Sequence, residues 1–152
     1  MSTIDKASLR VLNLISQHQL ATLDRSLSDW GCITWKLDGS TVTDAATLFV
    51  RAAVDLPSPF TVRPVHGWDA FKDSLWEAAV TCDADEIAFV WTNTQRMLEG
   101  GLADLLQAAA TLGSLSRDLA KLASPSVSAK TFYIFLAGTG PNFPDLPTSD
   151  ED

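Results

Sequence analysis

Histidine, cysteine and tyrosine are scarce in this sequence, and their scarcity limits the chemistry that the protein could perform. The 152 residues include two histidines, two cysteines and one tyrosine. His18 and His66 stand in no cluster with the spacing of metal ligands, so we expect neither a metal site nor an enzyme. Two cysteines are too few for a disulfide scaffold, and Cys32 and Cys82 are better explained as small buried side chains than as a pair. Because the first thirty residues lack a basic-then-apolar secretion signal, we expect a cytoplasmic protein. No glycine pair completes a phosphate- or dinucleotide-binding motif, so we expect no cofactor.

Long apolar runs and an excess of positive charge are also missing. No uninterrupted apolar segment approaches the roughly 18 residues that cross a bilayer, so we expect no membrane partner. Lysine and arginine total 11 against 19 aspartates and glutamates, which gives a net charge of −8. Phosphate backbones would repel such a chain, so nucleic acid is not an expected partner either. The charge favours a basic protein as the partner instead.

The composition is that of one ordinary folded domain with additions at both ends. Apolar residues make up 46% of the sequence and charged residues 20%. The spacing of apolar residues predicts a separate helical extension over residues 1–30. Residues 138–152 combine prolines, glycines and four acids without periodicity, which predicts a disordered acidic tail. The segment between them, residues 31–137, is predicted to be an α/β domain.

Within that domain, three segments have the composition of strands and are separated by helical patterns. The predicted strands cover residues 32–37, 86–91 and 131–136, and the apolar run at 86–91 is typical of a strand covered on both faces. A helix capped by Thr43 or Asp44, a second helix over 68–80, and a helical region over 94–122 broken at its glycines lie between them. Strands joined by helical crossovers pair in parallel. The sequence therefore predicts a small three-stranded parallel sheet flanked by helices.

The helix predicted over residues 68–80 has one apolar face and one acidic face. At about 100° per residue, Asp69, Asp73 and Glu77 fall together, opposite Phe71 and its apolar neighbours. Carboxylates four residues apart destabilise a helix by about 0.2 to 0.5 kcal/mol per pair, relieved here by one lysine. A solvated face, with an acid in the first turn, is the plainer interpretation. A binding surface is the other.

Trp76 and Lys72 lie beside these acids and bear on the choice. The helical angle of Trp76 places it on the solvent side, next to Asp73. An aromatic side chain beside carboxylates is typical of a protein interface. Packing of Trp76 under the amino-terminal segment or the tail is the alternative. A magnesium site on the three acids is disfavoured, because side chains along one exposed helix have no opposing ligands.

Three segments of the chain resemble the barstar-like family of intracellular ribonuclease inhibitors. They are Leu37-Asp38-Gly39, the run Trp68-Asp69-Ala70-Phe71-Lys72-Asp73-Ser74-Leu75, and the apolar strand from Ile87 to Trp91. The resemblance covers roughly residues 32–137 and is most specific in the second segment. It implies three parallel strands surrounded by helices, and a binding face made by the second helix and the loop before it.

The resemblance also implies roles for individual residues. In the family, an acidic side chain of this helix occupies the place of a substrate phosphate in the nuclease, and Asp73 aligns with it. Asp69 aligns with a second interface aspartate. Lys72 and Trp76 fall at neighbouring contact positions, where the family has other side chains. The loop departs from the family, because it reads Arg63-Pro64-Val65-His66-Gly67 where aromatic residues and an asparagine are usual. This departure argues against barnase itself as the partner.

The sequence thus predicts a bacterial inhibitor or immunity protein that binds a basic nuclease toxin and blocks its active site. The expected contact residues are His66, Gly67, Asp69, Lys72, Asp73, Trp76 and Glu77. The main alternative is an adaptor of the same fold that binds a protein partner and inhibits nothing. The oligomeric state is left open by the sequence.

Overall fold

The computed structural model describes residues 2–150, which form an α/β fold. Short 3₁₀ turns at 6–8, 17–19 and 39–41 connect some of the elements. The strands and helices, in chain order, are β1 (Ser2–Ile4), β2 (Leu12–Ser16), α1 (Leu20–Asp29), β3 (Ile33–Asp38), α2 (Ala45–Asp55), α3 (Trp68–Thr81), β4 (Glu86–Thr92), α4 (Gln95–Gly100), α5 (Leu102–Ala120), β5 (Thr131–Gly138) and β6 (Thr148–Asp150).

The main sheet has four parallel strands in the order β2-β5-β4-β3. The prediction of a parallel sheet flanked by helices is confirmed, but the predicted number of three strands is wrong. The additional strand is β2, which aligns Leu12 with Ile134 of β5. The helical extension predicted over residues 1–30 is wrong for its first half, and only α1 is an α-helix there. A short apolar stretch is compatible with both the helical period and the strand period. This stretch forms a strand because the edge of β5 would otherwise leave its backbone groups unpaired.

Apolar side chains are buried on both faces of this sheet. On one face α2, α3 and α5 cover strand residues that include Phe89, Trp91 and Ile134. On the other face α1 covers Val90 and Phe135. Burial on both sides explains the uninterrupted apolar run of β4, as the sequence predicted.

The carboxyl-terminal segment packs against the amino-terminal one. Strand β6 pairs antiparallel with β1, with Ser2 opposite Asp150. Phe143 is buried and lies against Gly138, where an added Cβ would approach its ring to 2.7 Å. The prediction of a disordered tail is therefore wrong for residues 138–150, and residues 151–152 lie outside the described part of the chain. Composition alone suggested disorder, because it does not reveal a partner strand.

The helix boundaries follow local signals. Of the two predicted caps, Thr43 and Asp44, the structure has Asp44 as the N-cap of α2, and Asp44 forms a capping box with Thr47. Gly101 separates α4 from α5, but α5 continues through Gly113, where a break was also predicted. One internal glycine costs about 1 kcal/mol, which the buried leucines on either side of Gly113 outweigh.

The turn after β3 requires glycine. Gly39 begins the 3₁₀ turn and packs on the end of β4. A Cβ at this position would lie 2.1 Å from the carbonyl oxygen of Thr92 and 2.6 Å from Nε1 of Trp91. Any other residue would push β3 and β4 apart, so the Asp38-Gly39 pair serves strand packing as well as the turn.

The two cysteines are not joined in a disulfide. Cys32 and Cys82 are both free thiols and partly buried. Burial, with a contribution from Glu86, raises the pKa of the Cys32 thiol. No helix within residues 2–150 combines the length and the apolar character that a bilayer crossing requires.

The single tyrosine joins β5 to the amino-terminal segment through a shared carboxylate. Tyr133 Oη and Lys6 Nζ each donate to Oε1 of Glu86, both at 3.1 Å. Lys6 also lies over the ring of Trp30, 5.3 Å from its centroid. Partial burial and the Glu86 carboxylate raise the pKa of Tyr133 to about 12.

We expect the phenolate absorbance of the folded protein to titrate with a midpoint of about 12. In denaturant the same group should titrate near its ordinary value of about 10. The unfolded chain then loses its proton first, so stability falls as pH rises from about 10 through 12. Glu86→Gln should lower the folded midpoint only in part, because burial of the phenol, the larger cause, remains. A folded midpoint already near 10 in the unaltered protein would contradict both the burial and the contact.

Candidate functional site

Helix α3 is anchored because its inner face packs into a cluster of aromatic rings. Phe71 lies 5.7 Å from the rings of both Phe49 and Phe60, and 6.0 Å from that of Trp68, between centroids. Trp68 and Phe49 are 5.0 Å apart in an edge-to-face arrangement. These contacts connect α3 to α2 and to the loop before α3. The helix is therefore fixed along the face opposite its acids.

The carboxyl end of α3 is held by a buried lysine. Lys130 is 5% exposed, and its ammonium group donates to the carbonyl oxygens of Cys82 at 2.8 Å and Ala84 at 2.7 Å. Cys82 is the C-cap of α3. A cation at this end satisfies carbonyl groups that the helix leaves unpaired and complements its dipole. The aromatic cluster thus holds α3 near its amino end, and Lys130 holds its carboxyl end.

The outer face of α3 presents three exposed acids, Asp69, Asp73 and Glu77, which we call the acidic ridge. The ion pairs found within residues 2–150 include neither Asp69 nor Asp73. Asp69 lies in the first turn, where the helix dipole favours a negative charge. The spacing of apolar and acidic residues predicted this division of faces, and the structure confirms it. Two carboxylates of the ridge are consequently available to an external cation.

An open concavity of about 650 Å³ lies beside the ridge. The residues that line it include Asp69, Lys72, Asp73, Trp76 and Asp118. The first four were predicted from the sequence, and the structure brings them together. Asp118 was missed because it belongs to α5, and only the packing of α3 on α5 places it there. No local pattern around Asp118 would have identified it.

Lys72 lies beside the acidic ridge, but its ammonium group is hydrogen-bonded to side chains of α5. Its ammonium group donates to Oγ of Ser114 and to Oδ2 of Asp118, both at 2.8 Å. The hydrogen bond from Lys72 holds the pKa of the Asp118 carboxyl below its usual range. Lys72 is 31% exposed in its side chain. The pair fixes the floor of the concavity and keeps Asp118 ionised.

Glu77 is paired with the loop that precedes α3. The guanidinium group of Arg63 donates to a carboxylate oxygen of Glu77, and both side chains are exposed. A depression of about 240 Å³ beside this pair is lined in part by Asp73 and by the loop residues Pro64 and Val65. Exposed ion pairs contribute little stability. The pair nevertheless links the loop to the ridge.

Trp76 contacts both the core and the concavity. Its side chain is partly buried, and it packs against the core cluster formed by α2, α3 and α5. The remaining surface lines the concavity next to Asp73. Trp76 therefore occupies a structural position and also a position from which it could contact a partner. The indole offers apolar surface beside the carboxylates.

His66 and Gly67 occupy positions different from the other predicted contact residues. Gly67 is the N-cap of α3 in an extended conformation, without a side chain to cap the helix. His66 is exposed, and it lines a groove on α2 rather than the acidic concavity. His66 therefore does not line the concavity, and its role as a contact residue stays a prediction.

The arrangement is suited to binding cationic groups on another molecule. The concavity and the ridge together carry four carboxylates and the cations Lys72 and Arg63, which leaves a net charge of −2. Within residues 2–150, no three His, Cys, Asp or Glu side chains converge as metal ligands. Carboxylates on a fixed helix form strong charge-assisted hydrogen bonds with arginine and lysine.

Comparisons with known proteins found no match for this chain. No family model, no curated protein and no solved structure matches it. Beyond its α/β architecture, the chain is therefore characterised by its own residues. The likeness to the barstar-like family rests on the three motifs and on the order of the elements.

Proposed function

We propose that this protein is a barstar-like inhibitor or immunity protein, which binds a basic nuclease and blocks its active site with the acidic ridge. The observation that carries the proposal is the state of Asp69 and Asp73. Both are exposed on an anchored helix, beside an open concavity, and neither takes part in an ion pair within residues 2–150. Their carboxylates are held on a fixed helix and are not paired with a cation within residues 2–150.

The chemistry of a ribonuclease site complements this surface. Such a site gathers arginine, lysine and histidine around a polyanion, and a carboxylate can pair with them while offering no bond to cleave. In the proposed complex Asp73 enters the site, and Asp69 and Asp118 pair with cations around it. Trp76 supplies apolar contact. The chain itself performs no catalytic step.

The charge of the whole chain supports the same partner. A net charge of −8 attracts a basic protein over distance and raises the rate of encounter. Salt screens this attraction, since the Debye length falls to about 10 Å at 0.1 M ionic strength. Association should therefore slow as salt is added.

The order of the elements also supports the proposal. From β3 to β5 the chain runs strand, two helices, strand, two helices, strand, with parallel pairing throughout. The resemblance implies an order of this kind for residues 32–137. Strand β2 and α1 are additions outside that region, and α1 covers the sheet face opposite α3.

The proposal can be tested by titrating the protein into a panel of small basic bacterial ribonucleases, barnase included, with a fluorogenic RNA substrate. We expect stoichiometric loss of activity for at least one enzyme, and slower association at higher salt. Any ribonuclease encoded next to this gene belongs in the panel. Binding that leaves activity unchanged would favour the adaptor alternative. No binding to any member would contradict the proposal.

A further inference from the structure

An apolar groove lies on the side of the α2 helix that faces the loop before α3. It has a volume of about 720 Å³, and we call it the apolar groove. Its walls are formed chiefly by Ala46, Phe49, Val50 and Val54 of α2 and by Pro64 to His66 of the loop. Val50 is 70% exposed and Val54 is 64% exposed. No carboxylate, lysine or arginine is among the residues that line it.

The groove is unusual on a protein of this charge. Exposed apolar side chains that stand singly are common, whereas a lined apolar depression typically marks a contact surface. The fold does not require valine at positions 50 and 54, because both side chains point away from the core. A polar residue there would favour both the helix and solubility.

The groove and the acidic ridge meet at the loop. Pro64 and Val65 line the groove, and the same two residues line the depression that contains Asp73 and Glu77. The Arg63–Glu77 ion pair joins this loop to the ridge. A partner that reaches Asp73 across this loop therefore comes to lie over the groove as well.

We infer that the apolar groove is the second half of the binding surface, and that it receives apolar side chains of the same basic partner, located beside its cationic cleft. This inference rests on the proposed function. Interfaces combine an apolar contact, which slows dissociation, with surrounding charges that guide association. The ridge supplies the charges, and the groove supplies apolar surface that the ridge lacks.

Charge distinguishes this occupant from a second copy of the chain. Each copy carries a net charge of −8, with its ridge beside the groove. Two copies joined through their grooves would bring two acidic ridges together, and like charges brought close cost several kcal/mol. A basic partner meets the opposite condition, because the same approach brings its cations to the acids.

The test uses the full chain and the ribonuclease that it inhibits in the panel. The double variant Val50→Gln/Val54→Gln removes the apolar surface without adding charge and keeps good helix formers. Its matched control is Val11→Gln, which alters an exposed valine near β2, 46% exposed and outside the groove. We expect the double variant to raise Kd about tenfold or more, mainly through faster dissociation, with the salt dependence unchanged. The control should bind as the unaltered protein does.

The outcomes separate this inference from the proposed function. If Asp73→Asn weakens binding and the double variant does not, the inference is wrong and the proposed function stands. If no ribonuclease binds, both are wrong. Sedimentation of the protein alone tests whether a second copy of the chain occupies the groove. If the protein is a dimer and the double variant is a monomer, a second copy lies in the groove and the inference is wrong. Circular dichroism confirms that each variant is folded.

Discussion

Asp73→Asn is expected to weaken binding of the inhibited ribonuclease by at least about 30-fold, because loss of one partner from a desolvated charge pair costs 2 to 5 kcal/mol. The variant keeps the size of the side chain and removes its charge. Asp73 is exposed and has no ion-pair partner within residues 2–150, so the fold should be unaffected. Surface plasmon resonance and the activity titration measure the effect directly.

Asp145→Asn is the matched control for this experiment. Asp145 is also an exposed aspartate, and it lies 2.9 Å from His18, away from α3. It should change affinity by no more than about twofold, because exposed pairs contribute less than about 1 kcal/mol. Equal affinity of the two variants would show that the acidic ridge is not the binding surface.

Phe71→Ala is expected to lower the free energy of unfolding by about 3 to 5 kcal/mol, the usual cost of truncating a buried phenylalanine. Phe71 is 1% exposed and stands between Phe49, Phe60 and Trp68. Removal of its ring leaves a cavity beneath the acidic ridge. Urea denaturation measures the loss, and the concentration of protein needed for inhibition should rise with it.

Val54→Ala provides the comparison for that measurement. Val54 is 64% exposed on α2, so its truncation should change stability by less than about 0.5 kcal/mol. A small effect of Phe71→Ala, within that range, would mean that the aromatic cluster does not anchor α3.

Local patterns in the sequence were sufficient for much of the fold. The run at 86–91 predicted a strand buried on both faces, and β4 is one. The spacing of apolar residues around Phe71 gave both the bounds of α3 and the orientation of its faces. The capping residues Thr43 and Asp44 predicted the start of α2, and Asp44 is its N-cap. Each of these features depends on residues within one or two turns of each other.

Pairings between distant parts of the chain were beyond such patterns. Strand β2 pairs with β5, and β1 pairs with β6, so neither short strand is specified by its own residues. The site follows the same rule. The helical positions of Asp69 and Asp73 were predictable, whereas Asp118 enters only through the packing of α5 on α3.

The pairing of β2 with β5 also constrains how the protein is made. Leu12 aligns with Ile134, a partner that the ribosome adds 122 residues later. At a rate of synthesis of about 5 to 20 residues per second, β2 is made on the order of 6 to 24 seconds before that partner. During this interval an apolar strand with free backbone groups is exposed in the nascent chain, where chaperones or other chains can reach it. The main sheet is therefore completed only after β5 has been synthesised.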